Sequence, residues 1–361
     1  GDISRSVTLF AQNDAIDELD ETVIIDIDCS SNCIESGVQQ KTVTISDETN
    51  PPTVTLTVGS LNVTESVPGN NTTVTATLNT PSGLDVTVRL AKSGTATENT
   101  DYQMAGTMTI PAGGLETSIT LSALGDVLDE FDQTVIMDID VVTNGTELGG
   151  ATGQQKIVTI LDDDPEPTVT LSVASADVGE SGATSTTTLK ATLSAVSEKV
   201  VTVILVKSGT ASGDTDYMLD SGITILPANF FSSIILSAVN DSIDEFDETV
   251  VIDVDQVENG TESGGPTGQQ QTVTIRDDDP PAGVTLSVES ANIHENVGTT
   301  STTVTATLSI VSAKGVTVTL GTAGDAIKNT DYTLNETIII PAGSTISSVT
   351  LFASDDVTDE T

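Results

Sequence analysis

The chain has 361 residues, of which 54 are acidic and 11 basic, so the formal net charge at pH 7 is −43. Mean hydropathy is nevertheless slightly positive, at +0.06, whereas disordered acidic chains combine high charge with low hydrophobicity. We therefore expect a folded chain with room for about two to four domains. The scarcity of lysine and arginine excludes a nucleic-acid partner, and no apolar run is long enough for insertion into a membrane.

Short strings recur along the chain at a spacing of 115 residues. Asp-Tyr pairs stand at 101–102, 216–217 and 331–332, and a glutamate follows VT, VG or IH at 65, 180 and 295. A period of this length matches an independent β-sandwich domain and is too long for a solenoid. The spacing predicts four repeats, a C-terminal part of one at 1–50, two complete repeats at 51–166 and 167–281, and an N-terminal part of one at 282–361.

Alternating apolar and polar residues, rich in threonine and β-branched side chains, mark about seven strands in each complete repeat. Helical periodicity is absent. The pattern indicates an all-β fold of tandem Ig-like antiparallel β-sandwiches with Greek-key connections, arranged end to end as a rod. In the third repeat the predicted strands are 168–173, 184–193, 200–207, 222–226, 232–238, 249–255 and 270–275.

Acidic residues follow the odd-numbered strands of the third repeat. Glu180 follows the first strand, Asp214 and Asp216 the third, Asp241, Asp244 and Glu245 the fifth, and the triplet at 277–279 the seventh. Odd-numbered strands of an antiparallel domain end at the same pole, so these carboxylates should converge on one tip. Calcium takes six to eight oxygen ligands from flexible loops, and we expect more than one ion per complete repeat.

These strings resemble the Calx-beta domain. The family pattern of a Gly-Thr-Ala stretch ending in Asp-Tyr, an acidic turn and a closing triplet reads GTATENTDY (94–102), GDVLDEFDQTV (125–135) and LDDDP (161–165). It recurs as GTASGDTDY (209–217), NDSIDEFDETV (240–250) and RDDDP (276–280). The partial repeats carry NDAIDELDETV (13–23), GDAIKNTDY (324–332) and SDDVTDE (354–360), so the resemblance covers essentially the whole chain.

The resemblance implies calcium ligands at the matching positions of all four repeats. In the second repeat they are Glu65, Asp101, Asp126, Glu130, Asp162, Asp163 and Asp164, and in the third Glu180, Asp216, Asp241, Glu245, Glu248, Asp277, Asp278 and Asp279. In the partial repeats they are Asp14, Glu18, Glu21, Asp47, Glu295, Asp331, Asp355, Asp356 and Glu360.

Three departures from the family pattern affect the expected sites. The first aspartate of the acidic turn is replaced by Asn13, Gly125 or Asn240 in the first three repeats and survives only as Asp355. Gln133 replaces the last glutamate of the acidic turn in the second repeat, so that repeat should bind fewer ions or bind them more weakly. In the first repeat the triplet is replaced by Asp47-Glu48-Thr49.

Both ends of the chain fall inside a repeat. Half a sandwich leaves bare strand edges, so we expect the natural polypeptide to continue in both directions. Head-to-tail complementation of the two halves is the alternative, but residues 1–18 and 343–360 both encode the fifth strand, so one copy would be redundant.

The other reactive residues do not predict an enzyme. The chain has one histidine, His294, and two cysteines, Cys29 and Cys33, which we expect to form a local disulfide. No catalytic triad, nucleophile elbow or phosphate loop is present. Paired aspartates, at 26 and 28, 138 and 140, and 253 and 255, are either solvent-facing strand ends or sites of lateral ion bridging between like filaments.

The prolines at the repeat boundaries, at 165, 167, 280 and 281, predict stiff joints beside the acidic tips. By resemblance to Calx-beta repeats of large adhesins and matrix proteins, we expect a secreted, calcium-stiffened stalk or filament at the cell surface. Its partners would be calcium ions and the neighbouring repeats of the same chain. The alternatives are a calcium-sensing regulatory module of a membrane protein, as in sodium–calcium exchangers, and a ligand-binding adhesive domain.

Overall fold

The computed structural model describes residues 4–65, 70–150, 152–266, 268–296 and 300–355. The described part is all β apart from one short 3₁₀ turn, at Gly182–Thr184. It divides into two compact units, Gly1–Pro165 and Glu166–Thr361. No helix among the described residues is long and apolar enough to cross a membrane.

The strands are numbered in chain order. Those of the first compact unit are β1 (Glu21–Ile25), β2 (Lys41–Ile45), β3 (Thr53–Val58), β4 (Asn62–Thr64), β5 (Asn71–Leu78), β6 (Val86–Gly94), β7 (Tyr102–Met104), β8 (Thr107–Ile110), β9 (Glu116–Ala123), β10 (Gln133–Thr143), β11 (Thr146–Glu147) and β12 (Lys156–Leu161). Those of the second are β13 (Thr168–Val173), β14 (Asp177–Gly179), β15 (Thr186–Leu193), β16 (Val201–Gly209), β17 (Tyr217–Met218), β18 (Gly222–Ile225), β19 (Phe231–Ala238), β20 (Glu248–Glu258), β21 (Thr261–Glu262), β22 (Gln271–Arg276), β23 (Val284–Val288), β24 (Ser301–Leu308), β25 (Val316–Thr319), β26 (Tyr332–Leu334), β27 (Thr337–Ile340) and β28 (Ile346–Ala353).

Each complete repeat contains two five-stranded sheets. In the second repeat the strand orders are β4-β12-β10-β6-β8 and β11-β3-β5-β9-β7, and in the third β14-β22-β20-β16-β18 and β17-β19-β15-β13-β21. Side chains alternate across each strand, so that Thr187, Leu189, Ala191 and Leu193 of β15 are buried while the residues between them face outward. Each repeat has its own apolar core, and burial of one large side chain contributes about 1.5–3 kcal/mol.

The predicted seven strands of the third repeat all form, with bounds that differ from the prediction by at most three residues. The prediction that all strands of a repeat pair in antiparallel fashion is only partly right. Two short strands pair in parallel, β14 with β22 and β21 with β13. At two or three residues, these strands are too short to show an alternating pattern in the sequence.

The partial repeats lack pairing partners that the complete ones have. The fifth strand predicted within residues 1–18 is wrong, because residues 4–20 form no strand and only the hairpin β1–β2 follows. In complete repeats this strand, β9 or β19, lies between two others, and no such neighbours are present among residues 4–50. In the fourth repeat β28 does form, paired with β24 and β26. Cys29 and Cys33 form the expected disulfide, with their Cα atoms 5.5 Å apart.

Candidate metal centres

The parallel pairing of β14 with β22 brings Glu180 to the closing triplet of the third repeat. β14 ends at Gly179, and the backbone N–H of Glu180 donates to the carbonyl of Arg276 at 3.2 Å. Arg276 is the last residue of β22, and the triplet Asp277–Asp279 follows it at once. Residues almost 100 positions apart in the chain therefore meet at one end of the sheet.

Carboxylate oxygens of Glu180, Asp277 and Asp279 all lie within 4.8 Å of one another, and we call these three residues the triplet cluster. The Glu180 side chain is buried, with 8% of its surface exposed. Burial, followed by the charges of Asp277, Asp241, Glu245 and Asp279, raises the pKa of Glu180 to about 7. The same order of causes, burial first and the neighbouring aspartates next, raises the pKa of Asp279.

A second group, the turn cluster, consists of Asp216, Glu245 and Glu248, again within 4.8 Å of one another. The backbone N–H of Ser212 donates to Oδ2 of Asp216 at 2.6 Å, and this hydrogen bond holds the carboxylate against the turn formed by residues 212–216. Burial, a hydrogen bond with Asp216 and the charges of Asp216 and Glu245 raise the pKa of Glu248 to about 7. Burial, then the charges of Asp241, Asp216 and Asp277, raises the pKa of Glu245, and the contribution of Asp277 shows that the two clusters are electrostatic neighbours.

Buried carboxylate oxygens of the triplet cluster, and one in the closing triplet of the second repeat, lack hydrogen-bond partners. They include Oε2 of Glu180, Oδ2 of Asp279 and Oδ2 of Asp164. A buried, unsatisfied and charged oxygen is costly unless it is paired or coordinates a metal. A donor set made only of carboxylates fits a hard cation such as Ca²⁺, whereas zinc and copper favour nitrogen and sulfur ligands.

The second repeat has a group that corresponds to the triplet cluster of the third. One of its three carboxylates, that of Asp126, comes from the acidic turn instead of the closing triplet. Oxygens of Glu65, Asp126 and Asp164 lie within 4.8 Å of one another. Burial, then the charges of Glu130, Asp126, Asp162 and Asp101, raises the pKa of Glu65 to about 7. Four predicted carboxylates thus act on one buried glutamate.

Gln133 changes the other group in this repeat. It stands where the third repeat has Glu248, and its side-chain amide donates to Oε2 of Glu130 at 2.5 Å. The amide has taken the place of a third carboxylate. Among the described residues of the second repeat, no second trio of acidic oxygens comes together.

Comparison with known proteins identifies the family. The sequence model of the Calx-beta domain matches residues 47–164 and 162–279, which together make up more than half of the chain. The chain belongs to the Calx-beta family. No protein with a curated description matches it.

The solved structures that are similar to this chain are distant in sequence. The crystal structure of CBD12 from CALX1.2 is 15% identical, covers 62% of this chain and 99% of its own, and has a TM-score of 0.28. The calcium binding domain CBD12 of CALX1.1 is 15% identical, with 60% and 96% covered and a TM-score of 0.27. The apo-form Calx CBD1 domain is 20% identical, with 31% and 99% covered and a TM-score of 0.26.

The remaining predicted ligands of the two complete Calx-beta repeats lie beside these clusters. Asp163 is exposed, and Asp278 accepts a hydrogen bond from the hydroxyl of Ser181. Asp241 is exposed, and its Oδ1 accepts the backbone N–H of Ile243 at 2.7 Å. Each of them is near enough to contribute charge, but none belongs to a trio within 4.8 Å.

In the predicted partial repeat at the start of the chain, Asp14, Glu18, Glu21 and Asp47 line one open hollow. Partial desolvation and the charges of Asp14, Glu21 and Asp47 raise the pKa of Glu18. Thr49, which replaces the last aspartate of the triplet, donates its hydroxyl to Oδ1 of Asp47 at 2.8 Å and lowers the pKa of Asp47. No trio within 4.8 Å forms among residues 4–50.

The acidic residues of the predicted fourth repeat do not come together in the part of it that the structure describes. Glu295 and Asp355 are exposed, and Asp331 accepts the backbone N–H of Ile327 at 2.6 Å. In the complete repeats the glutamate directly follows β4 or β14, and each of these strands pairs with the last strand of its repeat. No such last strand is described in the fourth repeat. Asp356 and Glu360 lie outside the described residues.

The paired aspartates of β10 and β20 differ in their exposure to solvent. Asp140 is exposed and forms an ion pair with Arg89 at 2.6 Å, whereas Asp253 is buried, with 9% of its surface exposed. His294 is exposed, as expected for a surface residue, and Tyr102 and Tyr217 are buried core side chains.

The sequence pattern predicts Asp244 at the third repeat's tip, but it gives no indication of the two residues of the next repeat that contact it, Ser312 and Lys314. The serine recurs at 82, 197 and 312, with the same 115-residue spacing as the acidic strings, so the repeat pattern contained the signal. Its position lies far from any acidic string, and only the fold places it there.

Proposed function

We propose that the complete Calx-beta repeats bind calcium at their acidic clusters, and that the chain is a segment of a calcium-stiffened extracellular stalk or filament used in cell adhesion or a surface matrix. The triplet cluster carries the proposal. Its buried oxygens on Glu180 and Asp279 have no hydrogen-bond partner, and they lie among carboxylates that repel one another. A divalent cation satisfies both conditions together.

The residues that would hold the ion follow from the clusters. In the third repeat Glu180, Asp277 and Asp279 would hold one ion, and Asp216, Glu245 and Glu248 a second. In the second repeat Glu65, Asp126 and Asp164 would hold one. Bound calcium would supply the positive charge that lets these groups stay ionised at neutral pH while buried.

Stiffening is supported by the position of the acidic turn beside the next repeat. In the first compact unit Asp17 of the acidic turn forms a β-bridge with Ser82 of the following repeat. In the second compact unit Asp244 does the same with Ser312. An ion that orders the turn therefore orders a segment in direct contact with the neighbouring repeat.

Calorimetric titration of the full chain with calcium tests the proposal, together with thermal unfolding in calcium and in chelator. We expect saturable binding with more than one ion per chain and a higher Tm in calcium. The variant Glu180→Gln should lose one ion. The control variant Asp255→Asn, at an exposed position away from the clusters, should bind as many ions as the parent. Absence of heat and an unchanged Tm at millimolar calcium would contradict it.

A calcium-sensing module is the second candidate, and the inequality of the repeats favours it. Among the described residues the third repeat has two acidic trios and the second has one, which would give sites that fill at different calcium concentrations. Affinity separates the candidates, because sensor sites bind at about 10⁻⁷–10⁻⁵ M and extracellular modules at about 10⁻⁴–10⁻³ M. The same titration measures it.

A further inference from the structure

Lys314 of the fourth repeat reaches the acidic tip of the third. Its Nζ lies 2.5 Å from Oδ1 of Asp244 and 3.3 Å from Oδ2 of Asp277. The same ammonium lies 5.3 Å from the centre of the Phe246 ring, which is within the range of a cation–π contact. One cation thus joins two carboxylates of the preceding repeat.

The backbone around Lys314 is fixed by a short network centred on Ser312. Ser312 is fully buried, and its hydroxyl donates toward the carbonyl and Oδ2 of Asp244, both at 3.2 Å. The backbone N–H of Ala313 donates to the carbonyl of Asp244 at 3.1 Å, and that of Lys314 to the Ser312 hydroxyl at 3.1 Å. These hydrogen bonds therefore hold the backbone of Lys314 in place at the contact between the third and fourth repeats.

The joint between the first and second repeats has the same network without the cation. The Ser82 hydroxyl donates toward the carbonyl of Asp17 at 3.3 Å, and Gly83 N–H donates to that carbonyl at 2.8 Å. Leu84 N–H donates to the Ser82 hydroxyl at 3.1 Å, as Lys314 N–H does to Ser312. Leu84 and Leu19 thus occupy the places of Lys314 and Phe246.

Asp277 belongs to two groups at once. It is a member of the triplet cluster, with Glu180 and Asp279, and it also accepts the ion pair from Lys314. A cation on Asp277 repels a calcium ion at the triplet cluster and competes for one of its oxygens.

We propose that Lys314 is a resident cation of the joint between the third and fourth repeats: it holds this joint closed in the absence of calcium and lowers the calcium affinity of the triplet cluster through Asp277. The second half rests on the proposed calcium function, whereas the first half does not. The joint between the first and second repeats carries Leu84 at this position, and no lysine or arginine among its described residues forms an equivalent ion pair.

The test uses the full chain, with spin labels on Gln256→Cys and Thr350→Cys, one on each side of the joint, in a Cys29→Ser/Cys33→Ser background. Both label positions are exposed strand residues. In chelator we expect a narrow distance distribution for the parent and for Lys314→Arg, and a broad one for Lys314→Met. In Lys314→Met, calcium affinity at one site should rise about two- to fivefold, the range of a partly exposed ion pair.

A converse variant keeps the test independent of any loss of folding. Leu84→Lys should narrow the metal-free distribution between labels on Thr42→Cys and Thr120→Cys, which are exposed strand positions on either side of the first joint. Unchanged metal-free distance distributions in both Lys314→Met and Leu84→Lys would overturn the proposal that Lys314 holds the joint closed. If no variant and no parent binds calcium, the proposed function and the effect on affinity fall together, while the metal-free distances still decide whether the lysine holds the joint.

Discussion

The side-chain amide of Gln133 donates to Glu130 at 2.5 Å, at the place where Glu248 joins Glu245 and Asp216 in the next repeat. Restoring the acid with Gln133→Glu should complete a trio with Asp101 and Glu130. We expect the calcium stoichiometry of the full chain to rise by about one ion, as measured by calorimetric titration.

The matched control is the reverse change, Glu248→Gln, which should remove about one ion from the third repeat. Equal stoichiometry in the parent and both variants would show that this position does not hold an ion, and the turn cluster would then be an acidic surface only.

Glu180→Gln should change stability in opposite directions with and without calcium. In chelator the variant removes a buried carboxylate that has an unpartnered oxygen and four acidic neighbours, so the Tm should rise by a few degrees. In millimolar calcium the variant loses a ligand, and its Tm should fall below that of the parent. Thermal unfolding in the two buffers measures this crossover, and a fall in both would contradict it.

The metal-free protein should lose stability as the pH rises from about 4.5 to about 7. Glu65, Glu180 and Glu248 have a pKa near 7 when folded, against the ordinary value of 4.5. Between these values the folded state binds more protons than the unfolded one, so the free energy of unfolding decreases with rising pH. Urea denaturation in chelator at pH 5, 6, 7 and 8 measures it.

General repulsion among acidic groups also grows with pH, so a control is needed for the three glutamates. The triple variant Glu65→Gln/Glu180→Gln/Glu248→Gln should show a shallower slope between pH 5 and pH 7. Saturating calcium should reduce the slope in the parent as well, because ion binding favours the deprotonated carboxylates. A slope that is equal in the parent and the triple variant would assign the effect to net charge alone.

Gly209→Ala should destabilise the third repeat strongly. Gly209 ends β16 with a φ of +116°, and an added Cβ would lie 2.1 Å from the carbonyl oxygen of Thr249. The strand end would have to separate from β20 beside the turn cluster, at a cost of about 1–3 kcal/mol or more. Gly315→Ala is the control, because a Cβ there meets nothing within 4 Å. Urea denaturation of both variants compares them, and equal stabilities would contradict the expectation.

The sequence was sufficient for the strands that carry a full alternating pattern. β13 matches its predicted bounds, and the other six principal strands of the third repeat are off by at most three residues. Thr187, Leu189, Ala191 and Leu193 show why, since four inward side chains at every second position leave one possible register.

The details of the site needed the fold. The three residues of β14 could not be recognised as a strand, yet its parallel pairing is what brings Glu180 beside Asp277 and Asp279. The absence of a strand within residues 4–18 has a similar origin, because a strand forms there only if a neighbour from elsewhere in the repeat is present. Lys314 is invisible to motif analysis for a different reason, as its partners are 37 and 70 residues away.

The parallel pairing of β4 with β12, and of β14 with β22, also has a mechanical consequence. One of the first strands of each complete repeat is hydrogen-bonded to its last strand, side by side and in the same direction. Tension applied between the two ends of the repeat slides these strands past each other, so their hydrogen bonds must break together and not one at a time. The glutamate that follows the first of these strands and the triplet that follows the last lie at the same end of the paired strands. An ion bound between them would therefore resist the sliding of one strand past the other under tension.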